Sequence, residues 1–361
     1  MPRKEQTMAC NGPRKVGAAD ARRYGLIIRM NEDIMEKLKF ILLDKKGSEG
    51  RFEFGESRIH LFEKFDQAAE LFDHGNLLKA QSLLKAILKE DPEFIDAYHM
   101  LGVMEHENNN FEKAKELFSQ GVKIAENIIP NIFKGNIIWG DLDNRPYLRS
   151  LHGLGLVYMD LSQIDNAIII FEKIIRYNPN DNQGVRYLLG DLYLIDGNLV
   201  KAQSYYKDNL NYLPYLYSYA LTFVLQNKYT EAITHFRLGF INNIYIAEII
   251  REKFPLLKYD MWHSSNFEWP ETANDYFQQI RKVWENNKAK ELLNRLFDST
   301  IIQEEIENII ALKVQLNKIH GRDKKAIEYR QEILSEMDQI INGINDDSSE
   351  QIKLALSIHD N

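Results

Sequence analysis

Cysteine is almost missing from this chain: Cys10 is the only one in 361 residues. A lone thiol excludes an intramolecular disulfide and a cysteine-built zinc site, and a reducing, cytoplasmic setting is expected. Long apolar runs are also lacking, since none reaches the roughly 18 residues of a membrane-spanning helix. The basic N-terminus has no apolar stretch of the kind a signal peptide carries. There is no phosphate-binding glycine loop, no H-E-x-x-H, no G-x-S-x-G and no kinase signature. The chain is therefore read as a non-enzyme with no catalytic residues, no cofactor and no metal.

What is present is ordinary in bulk and uneven in detail. Hydrophobic residues make up 44% and charged residues 27%, with a net charge of −8. An acidic chain is not drawn to nucleic acid or anionic membrane by charge alone. Residues 1–25 nevertheless carry +4, and residues 301–361 carry −5.

A repeat runs through the middle. Small residues recur at Ala80, Ala114, Ala167, Ala202 and Ala232, spaced by 34, 53, 35 and 30. The 53 is one period of 34 plus an insertion of 19. Four residues after each alanine stands a large side chain: Leu84, Phe118, Phe171, Tyr206 and Phe236. Upstream, Leu101-Gly102, Leu154-Gly155 and Leu189-Gly190 occupy matching places. Gly75, Asn109, Gly197 and Asn227 mark turns, and Pro92, Pro179 and Pro214 close three units. Each element of this grammar has a cause. Small pairs let two helices approach, Gly or Asn ends a helix in the left-handed region, and proline cannot continue the ladder. One helix pair cannot bury its apolar face alone, so units stack.

These positions resemble the tetratricopeptide (TPR) signature, most fully over 148–181, over roughly half the chain. The segments WGDLDNRPYLRSLHGLG and NPNDNQGVRYLLGDLY, within 139–193, resemble a narrower group of bacterial TPR proteins. Some of those carry a C-terminal cysteine-rich zinc motif, which this chain cannot have. The expected fold is all-α: a TPR-type α-solenoid over 57–244, with an insertion at 127–147. Residues 1–22 are expected to form a basic disordered tail and 23–56 a short strand-helix element. The helix within 22–43 is expected to be capped by Asn31. A non-repeat helical region with an αα-hairpin cap fills 245–342, and 343–361 is a frayed tail.

The partner implied is a protein or peptide held in the concave groove of the first helices. The register puts Phe62, Phe65, Phe72, His99, Met100, His106, Arg149, His152, Met159, Tyr187, Asp191, Leu194, Tyr217 and Leu221 there. This lining is aromatic and suits an amphipathic helix or extended apolar segment. His99, His106 and His152 do not read as a zinc site, because seven-residue spacing separates two imidazoles by ~10 Å along a helix. A candidate polar patch joins Trp139, Arg145 and Tyr147 of the insertion to Asn182, Gln183 and Arg186. An uncharacterised enzyme would place its chemistry there, with Asp141 and Asp143 near Arg145 and Arg149. A DNA-binding alternative rests on residues 1–56, whose strand-helix order resembles half of a ribbon-helix-helix dimer. Ile27 stands where that fold wants a base-reader, and its second helix would need 57–73, which the first repeat uses. The hairpin 301–342 could instead fold back and occupy the groove.

Overall fold

The computed structural model describes residues 37–254, 256 and 259–359. The tail with Cys10, the strand expected within 23–30 and the cap at Asn31 lie outside them. The described chain falls into two compact units, the first ending at Val185 and the second beginning at Arg186.

The first unit contains three helix pairs. They are α1 (Ile59–Asp73) with α2 (Leu77–Glu90), α3 (Ile95–Glu107) with α4 (Phe111–Ile128), and α5 (Arg145–Asp160) with α6 (Ile164–Tyr177). The second unit opens with two more: α7 (Arg186–Ile195) with α8 (Leu199–Asp208), and α9 (Tyr215–Val224) with α10 (Tyr229–Asn242). Within every pair the turn is made by a residue of positive φ: Gly75, Asn109, Ser162, Gly197 and Asn227. Five residues later comes the repeat alanine, and all five alanines are fully buried. Turn and small residue thus form one fixed local unit.

Phe118 shows why the small residues are needed. Its ring lies against both Gly102 of its own pair and Gly153 of the next. A β-carbon would stand 2.7 Å from that ring at Gly102 and 2.5 Å at Gly153. No real side chain tolerates such a contact without the helices parting.

The N-terminal element departs from expectation. A helix was expected through residue 43, but Lys39–Leu42 is a strand, β1, antiparallel to β2 (Gly50–Glu53), with Phe40 opposite Phe52. Asp44 decides this locally. Its carboxylate accepts the amides of Lys46 and Ser48, at 2.7 and 3.1 Å. These bonds, with one from the Ser48 hydroxyl, hold its pKa below the usual carboxylate range. They form a turn that reverses the chain instead of extending a helix.

The insertion is the hairpin's partner. Asn136 accepts from the Gly50 amide at 2.9 Å and donates to the Ser48 carbonyl at 2.8 Å. Asn144 is fully buried; its oxygen accepts from the Phe52 amide at 3.1 Å and its nitrogen donates to the Ile138 carbonyl at 3.1 Å. Phe40, Phe52, Phe133, Tyr147 and Tyr177 interlock as edge-on and stacked rings around these bonds.

Past the repeats the second unit continues with α11 (Ile244–Ile250), α12 (Pro270–Ile280), α13 (Asn287–Phe297), α14 (Thr300–Asn317) and α15 (Lys324–Gly343). The α14–α15 hairpin buries Ile302, Ile306, Ile309, Leu316, Ile333 and Met337. The segment expected to be frayed contains a helix, α16 (Asp346–Ala355), with a capping box between Asn345 and Ser348. It is held to α10 by buried Arg237, which donates to the Ser348 and Ser349 hydroxyls at 2.8 and 2.9 Å and pairs with Glu305.

Two substitutions test the coupling of hairpin and insertion. Asn144→Ala strands buried backbone groups and is expected to lower stability by about 3 kcal/mol in urea unfolding. Gly135→Ala would set a β-carbon 2.3 Å from the Gly47 carbonyl oxygen. It is expected to speed amide exchange at Gly50 and Asn136 while the far-UV helical signal is kept.

Candidate protein-interaction face

In the first unit the first helices α1, α3 and α5 are the ones named by the repeat register. Contacts on one side tie them together. Phe62 and Phe65 of α1 lie 5.1 and 5.9 Å from the ring of Phe94, which precedes α3. Arg149 of α5 approaches Asp96 of α3 at 3.7 Å, and His106 of α3 meets Asp160 of α5 at 2.7 Å. Phe62, Phe65, Phe72, Met100, His106, Arg149, His152 and Met159 are all half-buried. They are partly packed and partly presented to solvent, as are Val103 and Leu156, which the sequence reading did not single out.

The histidines divide among separate partners. His99 is buried against Phe118, His106 sits by Phe111, and His152 lies against Phe171. Burial drives the His99 pKa down to about 3, helped by Arg149 and His152, and the His152 pKa down to about 4. Both rings are neutral at physiological pH. Among the described residues no group of three or more metal-binding side chains comes together.

The second unit corrects part of the expected lining. Tyr217 is fully buried, its hydroxyl donating to the Asn243 carbonyl at 2.7 Å. Asp191 is buried and accepts from the hydroxyls of Tyr206 and Ser218, both at 2.8 Å. Leu194 and Leu221 are buried as well. Tyr187 is half-buried and covered by Tyr212 and Phe267, at 4.5 and 5.3 Å between ring centroids. These side chains are already covered by the protein's own chain. The tract Asn266–Trp284 crosses them, with the Tyr276 hydroxyl 2.9 Å from Ser218 and the Trp284 indole donating to Tyr276 at 3.1 Å. The covering segment is this tract rather than the hairpin 301–342.

The candidate polar patch also resolves differently. Tyr147 is fully buried, with its hydroxyl donating to Glu126. Gln183 donates to the Leu148 carbonyl at 3.0 Å, and Asn182 is exposed. Trp139 is braced by two guanidinium groups, Arg145 at 5.1 Å and Arg149 at 5.7 Å from its ring, and Arg145 donates to the Trp139 carbonyl. Asp141 caps the turn before α5 by accepting from Asp143. Arg186 opens the second unit, where its carbonyl accepts from Tyr215. Trp139, Arg145, Tyr147 and Gln183 thus secure the junction of insertion and third helix pair.

Two family models match parts of the chain. A sequence model described as tetratricopeptide repeat matches residues 64–128. One described as anaphase-promoting complex, cyclosome, subunit 3 matches residues 160–237. Among solved structures the chain is similar to YrrB, described as a TPR protein with an unusual peptide-binding site. That likeness is at 17% identity, covers 49% of this chain and 83% of the other, and has a TM-score of 0.40. No curated protein matches. The fold is of the all-α TPR-solenoid class, and residues 64–128 match the tetratricopeptide repeat itself. Among the described residues, no helix is long and apolar enough to cross a membrane.

The buried groups set opposite pH responses. Burial raises the Asp191 pKa from 3.8 to about 7, against the hydrogen bonds from Tyr206 and Ser218. Its contribution to stability is full below the unfolded value and is lost as pH rises through about 7. Asp191→Asn is expected to abolish that loss between pH 5 and 8 in thermal melts. His99 and His152 have depressed pKa values, so their contribution is present above about 6.5 and lost as pH falls toward 4 and 3. His99→Gln is expected to flatten the acid side of the same melts.

Proposed function

We propose that this protein is an interaction scaffold that holds a peptide or helix of a partner protein on the face formed by α1, α3 and α5. The observation that carries this reading is the contrast between the two units. The first helices of the second unit are covered by their own chain, whereas the corresponding side chains of the first unit, His99 apart, stay half-open. Phe65, Phe72, Val103 and Met159 offer apolar surface there, and His99 and His152 add neutral, uncharged floor. Burying a few such groups against a partner yields several kcal/mol, at ~25 cal/mol per Å² of apolar surface, before ordering costs.

Binding rather than catalysis is the role proposed, because the residues that could have formed an acid–base patch are engaged in loop packing. A cytoplasmic setting and likeness to the bacterial TPR group with the W-G-D and N-P-N-D-N-Q-G segments belong to the same proposal. The DNA-binding alternative depends on residues outside the described structure, and no contact within it favours that reading.

A photo-crosslinking amino acid at Val103 or Met159 is expected to yield partner adducts in the native host. The same probe at Glu116 or Lys123, exposed on α4, is expected to yield none. Equal yields from both sides would refute the assignment of the face.

A further inference from the structure

The three first helices of the open unit share a feature that local energetics does not favour. Each ends on a carboxylate: α1 at Asp73, α3 at Glu107 and α5 at Asp160. A helix C-terminus carries partial negative charge, so an acid there is repelled by the helix it belongs to. A basic residue in the last turn would be the stabilising choice. None is present in α1 or α5, and α3 has only His106, which is engaged with Asp160.

The pattern stops where the open face stops. In the second unit the corresponding helices α7 and α9 end on Ile195 and Val224, and there the face is filled by Asn266–Trp284. Asp73 and Glu107 are exposed. The one guanidinium on the open face, Arg149, is directed to Asp96 and Trp139. An apolar strip therefore runs beside a row of carboxylates whose potential is reinforced by three helix ends.

We propose that the occupant of this face is an amphipathic helical segment of a partner protein, apolar on one side and carrying Lys or Arg along one flank. This rests on the interaction-scaffold reading above and adds the charge of the partner to it. The apolar side lies on Phe65, Val103 and Met159, and the cationic flank lies along Asp73, Glu107 and Asp160.

The test uses the full chain and three labelled 18-residue peptides read by fluorescence anisotropy. One has a Leu/Lys amphipathic pattern, one is its Leu/Glu twin, and one is the Leu/Lys composition scrambled so that no helical face forms. The Leu/Lys peptide is expected to bind, the other two not. Neutralising the two exposed members of the row by Asp73→Asn and Glu107→Gln is expected to weaken it roughly fivefold, the sum of two exposed ion pairs. Neutralising Glu112, Glu116 and Asp165, which lie exposed on the second helices α4 and α6, is expected to change nothing. Far-UV circular dichroism checks that each variant is folded. Binding of the Leu/Glu twin as well as the Leu/Lys peptide, or indifference to the row, overturns the charge assignment while leaving the face in place. A separate variant, Val103→Ser with Met159→Ser, is expected to abolish binding. Unchanged binding there would overturn the face itself.

Discussion

The structure depends on how closely two helices can approach where a small residue faces an aromatic ring. Phe118 resting on Gly102 and Gly153 is the plainest case, with no room for even one extra carbon. That contact locks a helix pair to itself and to its successor at once. The left-handed turn residue set five positions before each buried alanine delivers the second helix to the same place every time. Everything else, including the face on α1, α3 and α5, inherits its geometry from this interlock. The ring and the glycines are shape rather than chemistry, which is why the repeat can vary so freely elsewhere.

The two units use the same interlock and finish it differently. In the first, a β-hairpin and an insertion lean on the pairs through Asn144 and a set of aromatic rings. In the second, the first-helix side is closed by Phe267, Tyr276 and Trp284, and the last pair is braced by α16 through Arg237. Buried polar groups are tolerated because each has hydrogen-bond partners, supplied to Arg237 by these additions and to Asp191 by the repeat helices α8 and α9. The additions explain why half-open aromatic and apolar side chains persist on one face and not on the other.

How much of this was legible in the sequence follows from the range of the forces involved. The helix pairs, their turns and the α14–α15 hairpin depend on neighbours a few residues away, so periodicity finds them. The strand at Lys39–Leu42 does not, because its hairpin is completed by Asn144, 92 residues from Phe52. Its Ile-Leu-Leu run reads as helix until the Asp44 turn is seen. The register put Asp191 and Tyr187 on one first helix and Tyr217 on the next, and they lie on α7 and α9. It could not show that Phe267 and Tyr276 come back to cover them, since the tract that does so has no repeat pattern of its own. Tyr147 was misread for a similar reason: an aromatic in an insertion looks available until the hairpin that buries it is in place.

The tract Asn266–Trp284 behaves as a bound ligand that happens to be covalently attached. A tethered segment of this kind meets its own site at an effective concentration of the order of millimolar. A free chain of micromolar affinity, present at micromolar concentration, would be outcompeted there by about a thousandfold. Connectivity rather than composition thereby fills one of two faces built on one repeat plan; the other is the face proposed for a partner.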